Sequence, residues 1–400
     1  MPVFLLYNDF LSRSFRGKEK MRELRVGIVG FGMIGKVHAF GYRTLPFYAR
    51  GLKIRPRIAM VATSRPETAA AAGELLGCEG TTDWRRITES PEIDAVHICT
   101  PNRDHLAPLL SAIGHQKHIY CDKPVASSLD EALQVEKALD RADGAGIPLY
   151  TKVNMMTFHL RFIPALIRAK RLIGEGRLGR VLEYRAAYRH SSNASPDAPY
   201  KWKFDVGGGA ILDLGSHLAD LIDWLVGLPD EICADSVIAH PTRVDPATGR
   251  PRPVRAEDAF TVLTRAADPK TGAVTRGQIG GTKLATGSED EMSLEIYGEK
   301  GALRFSLMDA HFLDFYDAEK KEGWIRIAAG ARYTDPHTEF PSPKSPAGWI
   351  RAHAACAAQF AASIETGAPV GADLRQGIRI QKFLDAVRRS AEARAWLAAR

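Results

Sequence analysis

No run in this 400-residue chain approaches the ~18 consecutive apolar residues that span a bilayer, so membrane insertion is not expected. Cysteine is scarce: the five are Cys78, Cys99, Cys121, Cys233 and Cys356, odd in number and far apart. No C-x-x-C pair occurs, which argues against a zinc knuckle and a disulfide framework and makes a reducing cytoplasm the expected compartment. No group of ligating residues has metal-site spacing, so no metal is expected. Also missing is a basic stripe. The net charge is +7, but residues 1–25 carry +3 and residues 373–400 carry +4, leaving the 347 residues between them formally neutral. A basic folded face is the footprint of nucleic-acid binding; basic ends without a reader motif are not, and no such partner is expected. Arg13, Arg16, Lys18 and Lys20 follow a short apolar stretch, the reverse of a secretory leader. Residues 1–22 are expected to be a disordered extension or to precede the true start, with Met21 a natural beginning for the fold.

What remains is globular in composition, with 45% hydrophobic and 25% charged residues, and long enough for two domains. Residues 23–147 alternate short apolar runs with helical stretches. The runs are Arg25–Val29, Ile58–Ala62, Asp94–Cys99 and His118–Cys121, and Leu149–Val153 is a further one. The helices are Glu67–Leu76, Leu106–Ile113 and Leu129–Ala142. This rhythm predicts a parallel sheet with helices on both faces. Residues 148–400 read differently. A helix over Phe162–Ile173 has Pro164 in its first turn, where proline is tolerated. Strand-like runs then crowd together, at 181–188, 232–239, 259–264, 278–284, 292–297, 302–305 and 312–315, with one strong helix at Ala210–Leu225. These predict a largely antiparallel sheet. Pro241–Arg255 reads as a loop and Ala331–Gly348 as irregular, before two amphipathic helices over 349–366 and 373–395.

Gly30-Phe31-Gly32-Met33-Ile34-Gly35 is G-x-G-x-x-G between a strand and a helix. Gly30 permits the tight turn, Gly32 lets backbone approach a pyrophosphate, and Gly35 lets the helix pack on the strand. The uncapped N–H groups of the helix start suit phosphate. An NAD site expects an acid at the end of the second strand, and this chain has Ala62-Thr63-Ser64-Arg65 there. Ser64 and Arg65 can instead hold a ribose 2′-phosphate, which favours NADP over NAD; a solvated or adenine-stacked Arg65 is the alternative.

Ligands of open parallel sheets bind beyond the carboxyl ends of the strands. Two segments end there, Thr100-Pro101-Asn102 with His105, and Asp122-Lys123-Pro124. Later, Gly207-Gly208-Gly209 opens a helix carrying Asp213 and His217. Those two stand at i and i+4, within reach on one helix face, where a carboxylate fixes an imidazole's tautomer. Oxidising a secondary alcohol requires removal of the hydroxyl proton. His217 is the expected base, tuned by Asp213, and Lys123 is expected to bond the reacting oxygen. The alternatives are plain: an Asp/His surface pair, or a lysine that only anchors phosphate. His97 reads as a core histidine, and His105 as structural or cofactor-adjacent. Trp202, between Lys201 and Lys203, either borders the substrate or packs. His190 and His337 lie in irregular segments and carry no assignment.

These motifs resemble the glucose–fructose oxidoreductase/inositol dehydrogenase/rhizopine-catabolism (Gfo/Idh/MocA) family. Asp122-Lys123-Pro124 stands for the family's Glu-Lys-Pro, a conservative departure, and Asn102 with His105 for its Asn-x-x-His loop. Gly207 through Asp220 matches G-G-G-x-x-x-D-x-G-x-H-x-x-D. Asn154, Arg161-Phe162, Lys170 through Gly179, and Glu295-Ile296-Tyr297-Gly298 with Lys300-Gly301 follow in family order, so the likeness spans about residues 24–390. It implies a Rossmann-type domain, an α+β domain with an open, mostly antiparallel sheet, and the trio Lys123, Asp213 and His217. It also implies pairing through that sheet into a homodimer or homotetramer. The expected substrate is a sugar or cyclitol, contacted by Asn154 and Trp202. The competing expectations are a redox-neutral enzyme that retains its dinucleotide and a non-catalytic dinucleotide sensor.

Overall fold

The computed structural model describes residues 21–49, 51–140, 149–330, 348–368 and 371–399. The expected extension over residues 1–20, most of the irregular 331–348 segment with His337, and the end of the helix expected to reach Ala142 lie outside the described residues.

The first sheet has six parallel strands: β1 (Arg22–Val29), β2 (Ile54–Ala62), β3 (Glu79–Thr81), β4 (Ala95–Ile98), β5 (His118–Cys121) and β6 (Asn154–Met156). Their order is β3-β2-β1-β4-β5-β6. Helices α1 (Met33–Tyr48), α2 (Pro66–Leu76), α3 (Arg85–Thr88), α4 (Leu106–Gly114) and α5 (Leu129–Asp140) connect them. All four residues of β4 are buried, as a strand covered on both faces requires. The strand order reverses between β1 and β4, which opens a crevice beyond their carboxyl ends. One expectation fails here. The last strand is Asn154–Met156, pairing Ile119 to Asn154, and not Leu149–Val153. Leu149 is exposed, and the Tyr150 hydroxyl leaves to bond the Lys117 carbonyl.

The chain then crosses through α6 (Pro164–Gly174), β7 (Val181–Arg189), α7 (Ser216–Leu225) and β8 (Glu231–Val237). Next come β9 (Thr242–Val244), β10 (Pro251–Pro253), β11 (Ala259–Ala267), β12 (Val274–Thr282), β13 (Glu291–Gly298), β14 (Gly301–Ser306), β15 (Phe312–Asp317) and β16 (Trp324–Ala328). Helices α8 (Trp349–Thr366) and α9 (Leu374–Ala393) precede the two-residue β17 (Leu397–Ala398). Nine strands form one sheet in the order β16-β15-β14-β13-β7-β12-β11-β8-β17, antiparallel except where β12 joins β7. Burial alternates along β11 and β13, so one face packs on helices while the other stays open. The stretch expected as a loop over 241–255 contains the β9–β10 hairpin. Buried Arg243 pins it by donating to the carbonyls of Asn193, Ser195 and Ala198.

The α8 helix returns to the first domain. Its Ala354 and Ala357 lie beside Gly41 of α1, and Phe360 and Ile364 join the core of β1 and β4. Glu365 at its end accepts the Lys53 N–H at 2.7 Å. Across the crossover, Arg161 grips Asp220 of α7 in a buried bidentate pair, with Nε at 2.8 Å and Nη2 at 2.5 Å. Among the described residues no helix is long and apolar enough to cross a membrane.

Candidate active site

The crevice continues into a cavity of about 1230 Å³ that reaches from the glycine loop to α7. The loop is built as its sequence dictates. Gly30 has φ +92°, and a side chain there would strike the backbone of Cys99 and Thr100 at 2.8 Å. A Cβ on Gly35 would meet the Gly30 carbonyl at 2.3 Å, so α1 sits directly on the turn. At Gly32 nothing lies within 4 Å, and the loop faces open space. The first turn of α1 has no side-chain cap and no acid, leaving its N–H groups free for an anion. This cradle fits a dinucleotide phosphate.

Phe31, Met33 and Ile34 line the same cavity, as do Ser64, Arg65, Thr100, Pro101, Asn102 and Asp122. Among the described residues Arg65 forms no ion pair, and Ser64 and Arg65 are both exposed. Asn102 donates to the Gly207 carbonyl at 3.0 Å, tying the two domains together. His105 is fully buried. Its Nε2 lies 2.9 Å from the Thr100 carbonyl and its Nδ1 3.1 Å from that of Pro124, so it splints the two loops from behind. His97 is a core histidine, 2.7 Å from the Tyr42 hydroxyl. Asn154 lies apart from the cavity lining and accepts the Leu374 N–H of α9 at 2.7 Å. Trp202 lines the cavity, as does His190.

Lys123, Asp213 and His217 all border the cavity beside these loops. Their pairing differs from the expectation. Residues Ile211–Gly215 form a wide π-helical turn, which breaks the register that places i and i+4 on one face. The Asp213 carboxylate turns to three lysines: Lys123 at 3.1 Å on one oxygen, Lys203 at 2.8 Å and Lys283 at 2.9 Å on the other. Lys123 also donates to the Asp213 carbonyl at 3.0 Å. Among the described residues His217 Nδ1 is buried without a hydrogen-bond partner, so Asp213 does not fix its tautomer. Burial first, and Lys123 second, push this imidazole well below its usual range and hold it neutral. Burial alone would raise Asp213; Lys123, Lys283 and Lys203 together hold it far below the ordinary carboxylate range.

Several cavity residues were invisible to sequence reasoning. His159 packs edge-on to His217 with ring centroids 5.1 Å apart and stacks on His353 at 4.0 Å. Trp349 and His353 come from the start of α8, far along the chain. Half-buried Glu257, outside the cavity lining, accepts the Ile211 N–H at 2.7 Å and closes the entry to the π turn. Lys283 had a readable signal: Ile279, Gly281 and Lys283 alternate onto the buried face of one strand and its continuation. A buried lysine requires a partner. Among the described residues no cluster of three or more potential ligands could hold a metal ion.

Comparisons with known proteins agree with this architecture. A family model described as an oxidoreductase family with an NAD-binding Rossmann fold matches residues 24–146, and the GFO/IDH/MocA C-terminal domain model matches residues 166–304. The chain is 28% identical over 396 residues to levoglucosan dehydrogenase of Pseudarthrobacter phenanthrenivorans, covering 94% of this chain and 98% of that protein. It is also 28% identical over 372 residues to inositol 2-dehydrogenase of Rhizobium meliloti, covering 92% and 96%. A solved structure of levoglucosan dehydrogenase in complex with NADH superposes with a TM-score of 0.87 at 29% identity, over 95% of this chain and 100% of that one. Rossmann crevice, glycine cradle, lysine–aspartate–histidine wall and matching sequence models thus coincide along one chain, which belongs to the Gfo/Idh/MocA family of NAD-binding oxidoreductases.

Proposed function

We propose that this protein is a nicotinamide-dependent dehydrogenase acting on a ring hydroxyl of a sugar, glycoside, anhydrosugar or inositol. One observation carries the reading: Lys123 and His217 border the same cavity as the glycine loop, so one bound hydroxyl can touch both beside the dinucleotide. Relatives named for levoglucosan and inositol support the substrate class. When bound, the dinucleotide supplies the hydride acceptor.

The protein's own part is to hold the hydroxyl and take its proton. His217, kept neutral, bonds the hydroxyl without becoming an imidazolium, which burial and the neighbouring lysine oppose. We assign the proton-accepting role to Lys123, whose side chain is paired to Asp213 at 3.1 Å, with His217 as the second hydrogen-bond partner of the hydroxyl. Trp202 offers an apolar wall to the sugar ring. Asn154 contributes only indirectly, by fixing the start of α9.

Arg65, exposed, without an ion pair among the described residues and beside Ser64 on the cavity wall, supports acceptance of NADP. The open face of the nine-stranded sheet, with exposed Leu263 and Val274, supports self-association into a dimer or tetramer. Absorbance of reduced nicotinamide across a sugar and cyclitol panel, with NAD and NADP, tests the reading. Lys123→Ala is expected to lower kcat/KM by about 10²–10⁴. Equal turnover of Lys123→Ala, His217→Ala and wild type would end the mechanism, and conversion without net cofactor reduction would replace it with a redox-neutral one. Arg65→Ala should weaken NADP about 10-fold or more, and leave NAD unchanged.

A further inference from the structure

We propose that the β9–β10 hairpin is the specificity-determining element of the substrate pocket: buried Arg243 and partly exposed Arg252 clamp residues 193–205, and so hold Trp202 and Lys203 at the cavity wall. The inference rests on the proposed sugar or cyclitol dehydrogenase activity and adds the element that shapes its pocket.

The clamped segment has little structure of its own. Residues 190–208 hold no strand and one helical turn, Trp202–Phe204. A stretch that long without regular structure takes its shape from what it packs against. Yet it meets the cavity at both ends, through His190 and through Trp202 with Lys203. Neither strand of the hairpin is part of the cavity lining. The hairpin therefore acts through the segment, and Arg243 and Arg252 are positioning residues.

Arg243, 2% exposed, is the centre of the clamp. One terminal nitrogen donates to the carbonyls of Ser195 at 2.7 Å, Ala198 at 3.2 Å and Pro196 at 3.4 Å, and the other to that of Asn193 at 2.7 Å. The guanidinium also faces the Phe204 ring, 4.6 Å from its centroid, which the Lys201 ammonium approaches to 5.0 Å. A rigid fork of five donors can gather carbonyls in this way; the single ammonium of a lysine cannot. The second strand holds the far end. Arg252 pairs with Asp205 at 2.8 Å, lies over the Tyr200 ring at 4.2 Å, and stands 3.8 Å from Asp245 in the hairpin turn. Backbone bonds join the same pieces: the Tyr200 N–H donates to the Val244 carbonyl and the Arg255 N–H to the Phe204 carbonyl, both at 2.8 Å. Asp258, just beyond the hairpin, accepts from the Asn193 amide at 2.7 Å. Tyr200, Phe204 and Val254 close a small core separate from the two large ones. Trp202 thus stands between two anchored neighbours, Tyr200 and Phe204, and the hairpin sets its place on the wall.

This arrangement separates binding from chemistry. Lys123 follows β5 and His217 belongs to α7, and the hairpin holds neither. Loosening the wall removes contacts to the ring but keeps those to the reacting hydroxyl, which raises KM more than it lowers kcat.

The test compares the full-length wild type with Arg243→Gln and with Arg252→Ala, a side chain 46% exposed. If Arg243→Gln does not fold, Arg252→Ala carries both measurements. Backbone amide exchange, read by mass spectrometry without substrate, is expected to accelerate about 10-fold or more in peptides spanning 193–205 and to stay unchanged in the glycine loop. Across a sugar and cyclitol panel KM is expected to rise about 10-fold or more, most for the substrate that the wild type prefers, while dinucleotide Kd stays within about twofold. Unchanged exchange in the folded variants overturns the clamp. Faster exchange with an unmoved KM, or a KM raised equally for every substrate, overturns the specificity role. A wild type that turns over no member of the panel overturns the proposed activity and the specificity role with it, while the exchange still decides the clamp.

Discussion

Among the described residues the native fold encloses five buried histidines that it holds neutral, and this makes its stability steeply acid-sensitive. Burial lowers His38 and His353 to about 3, and drives His97, His159 and His217 well below their usual range. The unfolded chain protonates each near the ordinary ~6.5. Stability from these groups is therefore complete above about pH 6.5 and is lost as pH falls towards their folded values. Below that pH each histidine costs about 1.4 kcal/mol per pH unit, and five cost about 7 kcal/mol per unit. Against a total stability of roughly 5–15 kcal/mol, this exhausts the native state one to two units below 6.5. Two contacts sharpen the loss: His159 stacks on His353 at 4.0 Å, and His38 Nδ1 lies 3.2 Å from His97 Nδ1, so successive protons repel. Urea unfolding followed by far-ultraviolet circular dichroism at pH 8, 7, 6 and 5.5 measures the slope. His38→Asn should reduce it by about one proton's share, 1.4 kcal/mol per unit. A stability that stays flat from pH 7 to 5.5 would refute the argument, because it would mean that these rings protonate without unfolding.

Other consequences are more local. Gly32→Val adds a side chain into open space, so the melting temperature should hold while dinucleotide affinity, measured by calorimetry, falls at least about 10-fold. Gly35→Ala should do the opposite: its Cβ meets the Gly30 carbonyl at 2.3 Å, and a loss of about 1–3 kcal/mol in urea unfolding is expected. Arg161→Ala strands buried Asp220, which Gln376 alone then bonds at 3.2 Å. Thermal and urea unfolding should show about 3–5 kcal/mol of destabilisation.

The first domain was legible because its signals are local. A short strand, three glycines and a helix specify the turn within a dozen residues, and the apolar runs Arg25–Val29 and His118–Cys121 fall within or on observed strands. The error at Leu149–Val153 arose because hydrophobicity marks burial, whereas strand pairing is set by alignment with the end of β5. The hairpin at 242–253 was hidden for a related reason: prolines and arginines suggest a loop until Arg243 is seen to bond four carbonyls of a segment about fifty residues earlier. Likewise β16 and β17 are edge strands whose pairing depends on neighbours, and composition does not announce them.

The active-site wall shows where sequence spacing stops being a guide. Asp213 and His217 are four residues apart, and on an ordinary α-helix that spacing would join them. Three glycines precede the helix, Glu257 takes up the Ile211 N–H from outside, and the first turn opens to π geometry. Freed from the imidazole, the carboxylate finds Lys123 from the β5 end, Lys203 from ten residues earlier and Lys283 from the end of β12. No spacing rule connects those positions, because the Rossmann sheet, the π turn and the antiparallel sheet must all form before they meet. The residue types were readable and their partners were not. The electrostatics change with the partners: the three lysines, and not the imidazole, hold the Asp213 carboxylate far below its ordinary range.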